Sequence, residues 1–248
     1  MMKTLEGKKA LVTGSSKGIG AAIAKQLAAE GAHVIVNYAR SGDLAQQIVG
    51  EIQSQGGQAT MIQADMGTSA GVDALFEKMD QVFAGHLDIL VNNAGFFPLG
   101  TLEESTDEDF EKIVNLNIRG GFLAAREAIK RMGEGGRIIN IGSIFGERMP
   151  LSGIGLYTMS KFAVAGFTRA WARDLGSRKI TVNTIQPGPI DTDLNPAEGE
   201  FAEQILPLTA LGRYGRPAEV ASLVGYVASP AAAYITGANL TIDGGVNA

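Results

Sequence analysis

"ALVTGSSKGIG" occupies residues 10–20, an apolar run that ends at a threonine and passes into three glycines. The apolar half has the character of a buried strand, and the stretch beyond Gly20 that of a helix, so the glycines fall in the turn between them. Glycines 14, 18 and 20 allow a tight turn and a close backbone approach, and the N-terminus of a helix is where a pyrophosphate is bound. The spacing G-x-x-x-G-x-G is neither the commoner dinucleotide fingerprint nor a P-loop. A nucleotide site therefore needs support from the rest of the chain.

Outward from this turn, apolar runs recur at "HVIVNY" (33–38), "ATMIQAD" (59–65), "DILVNNAG" (88–95), "RIINIGS" (137–143), "ITVNTIQPG" (180–188) and "ANLTIDGG" (238–245). Several are continuous rather than alternating, as strands covered on both faces of a parallel sheet are. Between them, helical periodicity covers 21–31, 43–55, 72–83, 107–132, 157–176 and 217–228. The alternation predicts an α/β fold with a mostly parallel, doubly wound sheet. With 248 residues and no linker-like tract, a single domain over 1–248 is expected. One segment breaks the rhythm. Residues 188–216 are rich in Pro, Gly and acids with weak patterning, and are expected to form a lid beyond the carboxyl ends of the strands.

Composition narrows the function. A net charge of −5 argues against a nucleic-acid partner, and the absence of cysteine excludes disulfides and thiolate chemistry. The N-terminal "MMKTLEGKKA" lacks an apolar signal region, and no run reaches the length of a membrane span, so a cytoplasmic protein with no membrane partner is expected. The second strand ends in Asn37, Tyr38, Ala39, Arg40 and Ser41, with no carboxylate to take a ribose 2′-hydroxyl. Arg40 and Lys17 supply two cations instead, which suits the 2′-phosphate of NADP(H).

"LYTMSKF" (156–162) puts Tyr157 and Lys161 four residues apart, on one face of a helix. Taken with "TGSSKGIG" (13–20), "NNAG" (92–95), "GS" (142–143) and "PGPIDT" (187–192), the pair makes the chain resemble the short-chain dehydrogenases/reductases nearly end to end. The resemblance implies a seven-stranded Rossmann sheet and a homotetramer. It implies that Gly14, Ser16, Lys17, Gly18, Ile19 and Gly20 cradle NADP. Tyr38, Arg40, Ser41, Asp65 and Met66 would hold its adenosine half, and Asn92, Ala94 and Gly95 its ribose side. Pro187, Gly188, Ile190 and Thr192 would form the nicotinamide loop. The catalytic positions would be Asn117, Ser143, Tyr157 and Lys161, with Asn115 the competitor of Asn117. Fourteen positions separate Ser143 from Tyr157, one more than the family pattern, and the extra residue is expected in the loop "GERMPLSGIG" (146–155).

The chemistry this implies is hydride transfer between NADP(H) and a small-molecule ketone or secondary alcohol. Negative charge builds on the carbonyl oxygen, so a proton donor and a hydrogen bond are needed there. Tyr157 would donate the proton, Ser143 would orient the oxygen, and Asn117 would hold a relay water. An unperturbed phenol has a pKa of about 10, and lowering it by ~3 units takes roughly 4 kcal/mol. Lys161 and the positive nicotinamide ring are expected to supply this in a partly desolvated site, with Lys161 also bonding the ribose. Phe96, Phe97, Ile144, Phe145, Met149, Leu151, Ile190 and Leu194 are expected to face a bulky or cyclic ketone. His33 and His86 lie in no triad context, and Asp191 and Asp193 lack the further oxygens a metal requires. Two alternatives remain open. Loops such as "GERMPLSG" also resemble a branch containing cyclic-ketone reductases and a cyclic-di-GMP-binding protein, and Arg169 and Arg173 stand at phosphate-clasping spacing. A 3-oxoacyl-carrier-protein reductase is the other.

Overall fold

The computed structural model of the chain describes residues 3–149 and 151–248. In chain order the elements are β1 (Lys9–Val12), α1 (Gly18–Ala29), β2 (His33–Tyr38), α2 (Gly42–Ser54), β3 (Gln58–Gln63), α3 (Ser69–Phe83) and β4 (Ile89–Asn92). There follow α4 (Asp107–Ile113), a π-helical turn (Val114–Gly120), α5 (Gly121–Ala128), β5 (Arg137–Ile141), α6 (Gly155–Leu175), β6 (Thr181–Pro187), α7 (Glu200–Ile205), α8 (Pro217–Ala228) and β7 (Asn239–Ile242). The strands form one parallel sheet in the order β3-β2-β1-β4-β5-β6-β7. This is the predicted doubly wound α/β architecture. Strand order reverses between β1 and β4, and ligands bind at that crevice in such sheets.

Side-chain alternation explains why the runs look continuous. Ala10 and Val12 pack with Ile23, Leu27 and Val224 on one face, while Leu11 packs with Phe76, Met79 and Leu90 on the other. Both faces are dry, so every position on β1 after Lys9 is apolar. Each fully buried side chain of this size contributes about 1.5–3 kcal/mol.

The switch point is closed by polar groups. The Thr13 hydroxyl accepts from the backbone N–H groups of Asn93 and Ala94, both at 3.0 Å. The Asn93 amide donates back to the carbonyls of Thr13 (2.9 Å) and Gly14 (3.0 Å). A Cβ on Gly14 would lie 2.9 Å from the Ala94 Cα, so only glycine permits this approach. Asn37 completes the frame from β2. It is 1% exposed, accepts from the Gly14 N–H at 3.0 Å and donates to the Ile62 and Ala64 carbonyls at 3.3 and 3.1 Å.

Two predicted elements differ in detail. The helix expected over 107–132 is interrupted by the π-turn Val114–Gly120, where Gly120 presses on the Met66 carbonyl; a wider turn of this kind often marks a functional site. Residues 188–216 contain the short helix α7, and their two ends are paired where Asp191 N donates to Gly215 O and Gly215 N to Pro189 O, both at 2.9 Å.

Asn37→Leu keeps the volume but strips the Gly14 N–H and two carbonyls of their side-chain partner. Unpaired buried groups cost about 1–3 kcal/mol each, so denaturant unfolding should show a loss of about 2–4 kcal/mol. Unchanged stability would mean that the glycine turn closes without it.

Candidate active site

A cleft of about 790 Å³ opens at the carboxyl ends of the strands, astride the β1/β4 reversal. One end is built by the glycine turn. Lys17, at the N-cap of α1, contributes no side-chain bond to the helix, so the first turn faces the cleft without a capping side chain. Gly18 adopts φ +57°, a left-handed conformation that glycine takes without strain. Lys17 and Arg40 line this end, both exposed, and neither forms an ion pair among the described residues. Ser16, Ile19, Gly20, Tyr38, Ser41, Asp65 and Met66 line it too, and Asp65 holds the Gly67 N–H at 2.9 Å. An uncapped helix start, two unpaired cations and no carboxylate at the end of β2 fit a phosphorylated dinucleotide.

The other end gathers the expected chemistry. Ser143 follows β5, and its hydroxyl accepts from the Phe145 N–H at 3.2 Å, which ends the strand in a short turn. That turn sits on α6, where a Cβ on Gly146 would meet the Lys161 carbonyl at 2.8 Å. Tyr157 and Lys161 share one face of α6, with the ammonium 5.3 Å from the phenol ring centre. Lys161 donates to the Ile141 carbonyl at 2.8 Å. The Phe97 ring stands edge-on to Tyr157, centroids 4.6 Å apart. Ala94, Gly95, Pro187, Gly188, Ile190 and Thr192 complete the wall.

Electrostatics in this floor differ from the expectation that Lys161 lowers the phenol. Burial pushes Tyr157 up to about 12, with the Ser143 hydroxyl pulling the other way. Burial also brings Lys161 down to about 8. Tyr157 is half-buried in the wall of the cleft. Both groups are desolvated, and each is driven towards its neutral form.

Three sequence expectations need correction. Asn92 does not line the cleft; its amide donates to the Gly121 carbonyl at 3.3 Å and to Asn140 at 3.0 Å. Side chains alternate along a strand, so Asn93 takes the cleft position. Asn117 also turns from the cleft: it accepts from Phe96 N (2.7 Å) and donates to Phe96 O (3.0 Å) and Ser160 (3.1 Å), which spends both amide hydrogens and leaves one oxygen lone pair for a water. Asn115 lines the cleft instead. Met149 and Leu151 are absent from the lining: Met149 sulfur takes the Thr158 hydroxyl, and Leu151 packs against Ile205 and Tyr214 of the 188–216 segment. Phe96, Phe97, Ile144, Phe145, Ile190 and Leu194 face the cleft as expected. Phe201, Ile205, Leu208 and Val246 join them from distant segments that no local motif marks.

Other residues fall outside the site. His33 bonds Thr60 at 3.1 Å and His86 lies 3.3 Å from Asp88. No group of metal-binding side chains and no helix able to cross a membrane occurs among the described residues.

Comparison with known proteins agrees with this geometry. A family model described as enoyl-(acyl carrier protein) reductase matches residues 14–247. The chain is 42% identical over 247 residues, all of both chains, to a cyclic-di-GMP-binding biofilm dispersal mediator protein of Escherichia coli (strain K12). A short chain dehydrogenase from Burkholderia cenocepacia J2315, solved in complex with NADP, is 46% identical with a TM-score of 0.96, covering 99% of this chain and 100% of that one. The angucycline C-6 ketoreductase LanV with bound NADP is 39% identical with a TM-score of 0.94, covering 98% and 96%.

A buried ammonium with a lowered pKa is a stability cost below that pKa. The shift from 10.5 to about 8 at Lys161 corresponds to roughly 3 kcal/mol at neutral pH, partly offset by roughly 1 from the bond to Ile141. Lys161→Met should therefore unfold at higher denaturant than the unmodified protein at pH 7, both without ligand. The gain should fade as pH rises from 8 to 10.5. A variant less stable at pH 7, or a gain that grows with pH, contradicts this.

Proposed function

Because the chain belongs to the short-chain dehydrogenase/reductase family, we propose that it is an NADP(H)-dependent carbonyl reductase acting on a bulky or cyclic ketone. The observation that carries this reading is one cleft with Ser143, Tyr157 and Lys161 at its apolar end and Lys17 and Arg40 at the other. The NADP-bound dehydrogenase and ketoreductase among its relatives support the same cofactor and substrate class.

NADP(H), when bound, supplies or accepts the hydride. The protein does the rest. Ser143 donates a hydrogen bond to the carbonyl oxygen and orients it, and the Tyr157 hydroxyl delivers the proton as charge builds there. The high pKa of the buried phenol keeps it protonated until that charge develops. Lys161, at about 8, is poised to pass a proton on near neutral pH and to bond the ribose. Behind it lies a cavity of about 20 Å³ lined by Asn92, Asn117 and Asn140, the size of one water. The Asn92 Oδ1 is buried without a protein partner, which supports a relay water held there beside Asn117.

The reading treats 1–248 as a single catalytic domain with 188–216 as a lid over the ketone end. It includes a homotetramer, supported by exposed Phe110, Phe122 and Phe162 on α4–α6 and Tyr226 and Tyr234 near the β7 edge. A second reading, cyclic-di-GMP binding, rests on the Escherichia coli relative and on Arg169 and Arg173, which are exposed on α6 and away from the cleft lining. A carrier-bound 3-oxoacyl substrate is a third; it is supported by a 3-oxoacyl-[acyl-carrier-protein] reductase of Synechocystis sp., 43% identical over 248 residues.

NADPH should bind more tightly than NADH, and Arg40→Asp should weaken NADPH roughly ten- to a hundredfold, the worth of one charge-assisted bond. Equal affinity of the unmodified protein for both cofactors sinks the assignment.

Tyr157→Phe should cost about 10²–10⁴ in kcat for ketone reduction, the range for a general acid, while NADPH titration stays near normal. Any cyclic-di-GMP binding should occupy part of the cofactor groove rather than the Arg169/Arg173 face, and so be weaker than NADPH binding and competitive with it. Tight binding indifferent to NADPH, with no ketone turned over, would favour the second reading.

A further inference from the structure

The chain's last turn belongs to the wall of the cleft. Beyond β7, the Asp243 carboxylate accepts from Gly245 N and Asn247 N, both at 2.9 Å, and curls the backbone back on itself. Gly244 and Gly245 make the curl at φ +65° and +84°. Three contacts fix where it lies. Asn247 donates to the Ile144 carbonyl at 3.3 Å, one residue past Ser143. Leu211 N donates to Gly244 O at 3.0 Å, from the base of the lid segment. Gly188, opening the nicotinamide loop, packs so closely on Asp243 that a Cβ would lie 2.6 Å from its Cα.

Between these anchors Val246 lines the cleft, where Ile144 and Leu208 also line it. The strand order puts β7 at one edge of the sheet and β2 and β3 at the other. Val246 is thus remote from Arg40 and Asp65, and adjoins the residues around Ser143.

We propose that the turn Asp243–Asn247 is the end wall of the ketone half of the cleft and that Val246 determines which ketones fit. This rests on the carbonyl reductase reading and adds the residue that sets its selectivity. Asn247 and Asp243 act as positioning residues, holding Val246 at a fixed distance from the carbonyl site. Side-chain bulk at 246 then subtracts from the space left for a ring fused to the reacting carbonyl.

The test compares kcat/KM for 1-tetralone, a fused bicyclic ketone, with that for cyclohexanone, in the unmodified protein and in Val246→Ala and Val246→Phe. Methylene-sized changes in an apolar pocket shift selectivity by about tenfold or more. Val246→Phe should move the tetralone/cyclohexanone ratio down by about that factor, and Val246→Ala should move it up by a similar one. NADPH affinity, by calorimetry, should stay within about twofold in both. Should Val246→Phe lose NADPH binding, the Val246→Ala ratio decides. A ratio unchanged in a protein that turns over both ketones overturns the assignment of Val246 alone. No turnover of either ketone by the unmodified protein overturns the reductase reading, and this assignment with it.

Discussion

The clasp between Thr13 and Asn93 is the constraint on which the site depends. A doubly wound sheet must part its crossovers at one place, and there two strands end side by side with no helix over the gap. Backbone groups at such a gap lose their ladder partners. Here one hydroxyl takes two N–H groups and one amide returns two bonds, so the ends of β1 and β4 are fixed to each other. The glycine turn is then suspended between that clasp and Asn37. Its shape depends on those supports as well as on its own glycines.

From that fixed edge the reactive groups are placed by short, direct links. Ser143 ends β5, two strands from the turn, and the close pass of Gly146 over Lys161 sets α6 against it. Placing the phenol and the ammonium in the same dry floor has an electrostatic result. Neither group is comfortable with charge, so the pair resists ionising until charge arrives from outside. In water the ammonium alone would be charged, whatever sits in the cleft. Desolvation makes the acid responsive to its ligands.

Much of this was legible in the chain. Continuous apolar strands and alternating helices specified the sheet, since both faces of a parallel sheet must be dry. Motifs local in sequence picked out Ser143, Tyr157, Lys161 and the glycine turn, which the fold brings to one cleft. What escaped was set by direction and distance. Which of Asn92 and Asn93 faces the cleft depends on where the strand's alternation stops, and a motif does not reveal that. The amide of Asn117 is spent on Phe96, a partner 21 residues away. The end wall is contributed by Val246, about a hundred residues after Ile144. Tertiary approach of this kind leaves no periodic trace.

The paired ends of 188–216 have a consequence for how such a protein can diversify. Because the backbone of Asp191 and Gly215 is joined at the base, everything between them is an excursion that leaves and returns at one point of the scaffold. The entropy of closing such an excursion grows only with the logarithm of its length, by about 0.6 kcal/mol per doubling. Residues can be added to or removed from the excursion with little effect on the sheet below, and each change remodels the space above Tyr157. A heritable tolerance of length at that one segment lets a single scaffold try many substrates without risking its fold.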